Sequence, residues 1–289
     1  ATHQFTGLTP NTAYYFKIYP YNGSGESSNY KTDGTLPEAT ATTEMLDFDL
    51  IITEVSDPQD NTDARFVEIM NTGETSIDFS TVTVYLSRQA NGEGWGDVLL
   101  TGTLAAGATR VIAYNGTSYT SAYSLTADQT SGNITGSGND GYFLYYGGNH
   151  STGYKFDAYG VIDEDGTGMP WEYTDKKAVR KRNVTSPNPF WTASEWEISG
   201  SVALVKDMTP AFHNGLVEWQ GSTSTNWNTK GNNWNSPNGY IPDASCIVTI
   251  PVKTFQPIIT EVSACHQVEI QTGASLSIQS TGSLKIVGP

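Results

Sequence analysis

LIITEVSDPQDNTDARFVEIMNTG, residues 50–73, is the stretch on which the fold turns. Leu50 to Val55 is a short run rich in β-branched side chains, bounded by an acidic loop. Arg65 to Met70 then alternates, with Val67 and Ile69 on one face and Phe66, Glu68 and Met70 on the other. Asn71-Thr72-Gly73 closes the pair with a turn. Outward from here the pattern recurs at Ile77–Phe79, Val82–Leu86, Arg110–Tyr114 and Tyr142–Tyr146, punctuated by Gly, Asn, Asp and Ser. That many short strands predict a two-layer, aligned β-sandwich. A long amphipathic helix needs apolar residues at a period of about 3.6 over a dozen positions, and none occurs. The expected fold class is all-β.

The totals agree. A chain of 289 residues suggests two or three domains, and 29 Gly and 16 Tyr suit short strands joined by tight turns. The formal net charge of −15 repels phosphate backbones, so nucleic acid is not an expected partner. Lys176, Lys177, Arg180, Lys181 and Arg182 are a local exception, read as a solvated strand edge or, more sharply, as an anion patch. No apolar run approaches the roughly 18 residues of a membrane span. Two cysteines, Cys246 and Cys265, make neither a disulfide framework nor a zinc site, and leave one bridge open.

Beyond composition, the motifs LIITEVSD (50–57), RFVEIMNTG (65–73), IDFSTVTVYL (77–86), LAAGATRVIAY (104–114) and GSGNDGYFLYY (136–146) resemble, in this order, those of the lamin tail domain family. FDAYGVIDEDGTGMPWEY (156–173), AVRKRN (178–183) and FWTASEWE (190–197) continue the resemblance. It implies an immunoglobulin-like sandwich over residues 47–214, without catalytic activity of its own, carried as an accessory module on secreted bacterial proteins. On this reading Trp171, Trp191 and Trp196 are packing residues.

The flanks differ. In residues 1–46, GLTPNTAYYFKIYPYNGSGESSNY (7–30) resembles the last two strands of a fibronectin type III domain, with Leu8, Pro10 and Tyr14 matching its tyrosine corner. A lone hairpin is marginal in water, so the side of Tyr14, Phe16 and Ile18 is expected to be covered by the central domain or a neighbouring chain. In residues 215–289, WQGSTSTNWNTKGNNW (219–234) precedes three apolar pairs at a period of eight: Val268/Ile270, Leu276/Ile278 and Leu284/Ile286. Loops holding Gly273 and Gly282 separate them, as hairpin connections do. This region resembles a small Trp-rich β-module of bacterial surface proteins. Because the chain opens inside a motif, it is expected to be part of a longer precursor, with the last module cut short.

Catalytic signatures are missing from the sequence. His3, His150, His213 and His266 are scattered, and there is no HExxH pair, nucleophile elbow or P-loop. No enzymatic activity and no cofactor is expected, with calcium as the one candidate. Asp57, Asp60, Asn61 and Asp63 could offer oxygen ligands to it, against the alternative of an Asx-rich turn. Asp163, Glu164 and Asp165 form a weaker set. Trp219, Trp227 and Trp234 either stack on a glycan or fill the core of a small domain, and periodic placement favours the core. The leading expectation is a structural or interaction segment of a secreted or surface-attached bacterial protein, its partner an unknown protein or glycan. The rivals are a carbohydrate-binding or calcium-dependent adhesive module, and the accessory tail of a secreted nuclease or phosphatase.

Overall fold

The computed structural model describes residues 5, 8, 12–43, 49–213, 215–229, 231, 233–235, 241–244 and 246–287. His3, Pro10 of the tyrosine-corner match and the domain boundaries placed at 46/47 and 214/215 involve residues outside this set. The chain is mostly β, with one α-helix among the described residues.

The first hairpin pairs β1 (Ala13–Lys17) with β2 (Glu38–Thr42) in antiparallel register, Phe16 opposite Ala39. Of the face expected to be covered by the central domain or a neighbouring chain, Tyr14 and Phe16 are half-buried. Phe16 packs on Phe5 of its own segment at 5.0 Å between ring centroids, and Ile18 stays 64% exposed. The small residues Ala39 and Ala41 opposite leave too little apolar surface to build a second core.

Two sheets share the main core. One contains β3 (Leu50–Ser56), β4 (Phe66–Asn71), β7 (Thr109–Ala113), β8 (Gln129–Thr130), β11 (Lys177–Arg180) and β12 (Trp196–Ile198), in the order β8-β7-β4-β3-β11-β12. The other, ordered β10-β9-β5-β6, contains β5 (Val84–Ala90), β6 (Gly94–Leu99), β9 (Gly141–Tyr146) and β10 (Tyr154–Tyr159). Leu50, Ile52, Val55, Val67, Ile69 and Ile112 of the first sheet meet Leu86, Val98, Tyr142, Leu144 and Phe156 of the second. Trp171 and Trp196 belong to this core and Trp191 packs against it.

A register shift in β3 explains why its sequence lacks clean alternation. Ile52 pairs with Ile69 but Glu54 pairs with Glu68, so Thr53 is the extra residue of a bulge. The bulge changes phase: Leu50, Ile52 and Val55 all face the shared core, and Glu54 is carried to the opposite face. That opposite face is also covered. Helix α1 (Gly116–Tyr123) lays Tyr119 and Tyr123 edge-on against Phe66, with Ala203 and Met208 beside them. Asn115 caps the helix, its Oδ1 accepting from the N–H groups of Thr117 and Ser118.

The last region is a parallel β-coil rather than a set of hairpins. β13 (Leu216–Glu218), β14 (Ile247–Ile250) and β17 (Gln267–Ile270) form one parallel sheet. β15 (Ile258–Ile259) pairs with β18 (Ser277–Ile278), and β16 (Val262–Cys265) with β19 (Ser283–Ile286), also parallel. Val248 thus meets Val268, twenty positions on, Ile259 meets Ile278, nineteen on, and Cys265 meets Ile286, twenty-one on. The three apolar pairs at a period of eight lie on successive faces of one turn of the coil. They never pair with each other. Gly282 marks the stacking: a Cβ there would stand 2.3 Å from the carbonyl oxygen of Ile259 in the turn below.

Candidate functional site

The most chemically loaded region lies where the sandwich meets the coil. It is organised by the β3 bulge and by the strap 203–213 that crosses the first sheet. Glu54 and Glu68 are cross-strand neighbours, both buried. Glu54 accepts from the N–H of Thr209 at 3.0 Å and from its hydroxyl. Glu68 accepts from the Thr53 hydroxyl at 2.7 Å and from the N–H of Phe212 at 3.1 Å. Burial pushes the Glu68 carboxyl up to about 8, reinforced by the neighbouring Glu54 charge, and burial also raises Glu54. Lys177 donates to the Thr209 hydroxyl at 3.2 Å.

The strap then leaves the sandwich and enters the coil. Phe212, held by Glu68 at its backbone, buries its ring in the coil core with Trp219, Cys246 and Val248. Arg182, just past β11, crosses the same joint. Its guanidinium lies 4.9 Å over the Phe212 ring, donates to the Phe212 carbonyl at 3.2 Å and reaches Cys246 Sγ at 3.9 Å. His213 follows, 6% exposed, its Nδ1 buried with no hydrogen-bond partner. Burial, then Arg182 and Arg180, hold its imidazole down at about 3, so it is neutral at ordinary pH.

Two cavities flank Arg182 and Asn183, which line both. The first, about 580 Å³, is walled by Lys177, Lys181, Ile198, Ser199, Thr209 and Phe212 among others. The second, about 560 Å³, has Met70, Thr72, Thr185, His213, Ile247 and His266 in its wall. The basic cluster therefore splits by depth. Arg180 points inward, where Asp157 accepts its Nη1 through both oxygens at 2.7 and 2.8 Å and Glu195 accepts its Nη2 at 2.6 Å. Asp157 comes from the second sheet and also accepts the N–H of Ile52 at the bulge, at 2.7 Å. Lys177, Lys181 and Arg182 line the cavities, and Arg180 also borders the first.

The calcium candidates do not converge. Asp57 accepts from Arg65 Nε at 2.6 Å and from the N–H of Asp175 at 3.0 Å, and Asp60 accepts from the N–H of Val205 at 2.8 Å. Asn61 precedes a short 3-10 turn whose Asp63 is exposed. In the second acidic loop Asp163 bonds Gln89, Glu164 accepts from the Trp171 indole, and Asp165 closes an Asx turn on Thr167. Among the described residues no group of three or more His, Cys, Asp or Glu is placed to hold a metal. Trp219, Trp227 and Trp234 are buried and stack edge-on, 4.8 and 4.7 Å between centroids. As candidate ligand platforms they are inaccessible. Their order comes from Asn233, which accepts from Thr223 and Ser224 and ties the loop 223–226, and from Gly221, whose Cβ would strike the Phe255 carbonyl oxygen at 2.3 Å. Cys246 and Cys265 are free, buried thiols of the same core.

His150 stacks flat on Trp95, 4.5 Å away, with Nδ1 2.9 Å from both oxygens of Asp97. Ser87 donates to that same carboxylate at 2.7 Å rather than to the imidazole, which is the wrong side for a nucleophile. Sequence inspection found the basic cluster and His213 but gave them no joint role, and missed Glu54, Glu68 and Asp157. The one available signal was the acid in the middle of an apolar strand, at Glu54 and again at Glu68.

A family described as "Domain of unknown function (DUF8693)" matches residues 218–288, nearly the whole of the coil and well under half of the chain. No curated protein matches the chain. No helix among the described residues is long and apolar enough to cross a membrane.

Proposed function

We propose that this chain is a non-catalytic structural and interaction segment of a larger secreted or surface-attached bacterial protein. In this reading a lamin-tail-like, immunoglobulin-type sandwich carries the β-coil as a fixed extension, preceded by a fibronectin III-like hairpin. The supporting observation is the joint. Phe212 is backbone-bonded to a buried acid of the sandwich while its ring fills the coil core, and Arg182 spans the same boundary. Two modules that share side chains in this way favour holding a distance and an angle over hinging freely. The polar, acidic surface suits an extracellular setting.

Residual dipolar couplings measured on the whole chain test this. One alignment tensor should fit the amides of 50–213 and 246–287 together. Two independent tensors would sink the rigid-spacer reading. The glycan alternative drew on the three coil tryptophans, whose burial removes that support.

A further inference from the structure

We infer that the last described turn of the coil is a self-complementary face, on which a second copy of this chain docks end to end about a two-fold axis. This rests on the interaction half of the reading above and names its partner. The turn is open. Among the described residues β17, β18 and β19 each pair on one side only, with β14, β15 and β16. Their other side presents three strand edges whose backbone groups no further strand takes up. Ile270, Ile278 and Ile286 stand 46%, 52% and 53% exposed along those edges. A terminal turn of a stacked fold ordinarily carries a polar cap, and an apolar one favours a neighbour.

The residues of this turn indicate which neighbour. Each wall carries one half-buried apolar residue and one exposed isoleucine: Val268 with Ile270, Leu276 with Ile278, Leu284 with Ile286. Ser277 is the midpoint of the set, eight positions from Glu269 and eight from Lys285. A two-fold axis through Ser277, lying in the plane of the turn, reverses the order of the walls. It sets β17 of one copy antiparallel to β19 of the other, and β18 against its own equivalent. In that register Ile270 meets Leu284 of the second copy, Val268 meets Ile286, and Leu276 meets Ile278. Every exposed isoleucine thus gains a half-buried partner. Glu269 stands directly opposite Lys285 of the second copy, twice over by symmetry, on the solvent face of the joined strands. Both are exposed, and neither makes an ion pair among the described residues. An axis through either of the other walls would oppose Glu269 to Glu269 or Lys285 to Lys285. Charge complementarity selects one arrangement of the three.

Three short strands per copy make a contact below the roughly 1,200 Å² of stable interfaces, so the dimer is weak and dilute chain is monomeric. The test is sedimentation equilibrium of the full chain from about 1 μM to about 500 μM. Salt at about 0.15 M screens the net charge of −15. The mass should rise from one chain to two. Glu269→Lys and Lys285→Glu, taken singly, should each weaken dimerisation about tenfold or more. The melting temperature of dilute protein should not change, since both positions are exposed. The double reversal should restore the dimer, and the two single variants mixed in equal amounts should pair with each other. Alignment tensors report on the joint and mass reports on this face, so either conclusion can fail while the other stands. A chain that stays monomeric throughout, a dimer indifferent to the single reversals, or a double reversal that stays weak would each overturn the inference.

Discussion

The sandwich and the coil are both closed by apolar side chains, but they treat charge in opposite ways. The sandwich buries Glu54, Asp57, Glu68, Asp157 and Arg180, hydrogen-bonded across sheets, to the strap or, for Asp57, to Arg65 and the N–H of Asp175. The coil core holds tryptophans, aliphatic residues and two thiols, and among its described residues the buried polar side chains are Asn233 and Ser263. The difference follows from geometry. A sandwich of twisted sheets has bulges and crossing segments whose backbone groups need partners, and charged side chains provide them. A coil repeats one parallel register, so each turn satisfies the backbone of the last. Charge inside a sandwich therefore sets alignment, whereas translation alone aligns the coil.

The contrast can be broken from the sandwich side most strongly. Arg180→Ala leaves Asp157 buried without its cation and should cost about 3–5 kcal/mol of stability, read by denaturant unfolding. Trp227→Phe in the coil should cost far less, about 1–2 kcal/mol, since its indole N–H makes no hydrogen bond. Equal losses would erase the distinction.

A second test uses pH. Glu68 holds its proton to about 8 in the folded chain, whereas an unfolded glutamate releases it near 4.3. Between these values the native state binds the extra proton, so stability falls as pH rises, by up to about 1.4 kcal/mol per unit. Unfolding midpoints from pH 5 to 8 should decline, and Glu68→Gln should flatten the profile. A profile unchanged by that substitution would remove the joint as its origin.

The smallest effect, that of a change at Ile278, sharpens the comparison inside the coil when set beside its buried partner. Ile250 and Ile259 are fully buried, yet their partners one turn on, Ile270 and Ile278, are 46% and 52% exposed. Ile259→Ala should cost about 2–5 kcal/mol, and Ile278→Thr no more than about 0.5 kcal/mol, by the same denaturation measurement.

The β-rich character of the chain and the alternation of its first long strands were legible in the sequence. Val67 and Ile69 face the shared core and Phe66 and Glu68 the other side, as alternation requires. The bulge was not legible, because LIITEVS reads equally as an unbroken run, and only pairing with Glu68 shows that Thr53 is the extra residue. Helix α1, GTSYTSAY, carries just Tyr119 and Tyr123 as apolar anchors, too few for a period to appear. The coil misled for a physical reason. Val268/Ile270 followed by Leu276/Ile278 puts two apolar groups on one face whether the chain turns back in a hairpin or moves to the next wall of a coil. Only the spacing between partners, near twenty, separates the two. Of the candidate site, the basic residues were visible as a cluster, while the acids that fix the joint were hidden by ordinary strand spacing.

The row Ile270, Ile278 and Ile286 lies on the last of the described turns, half open where Ile250, Ile259 and Cys265 are closed. Such a stack is indifferent to its own height. Inserting or deleting about twenty residues would change its reach by one strand spacing, roughly 4.8 Å, and leave the sandwich and its charges untouched. On the spacer reading proposed above, the coil would be a ruler with discrete graduations, its length adjustable without redesigning the grip that holds it.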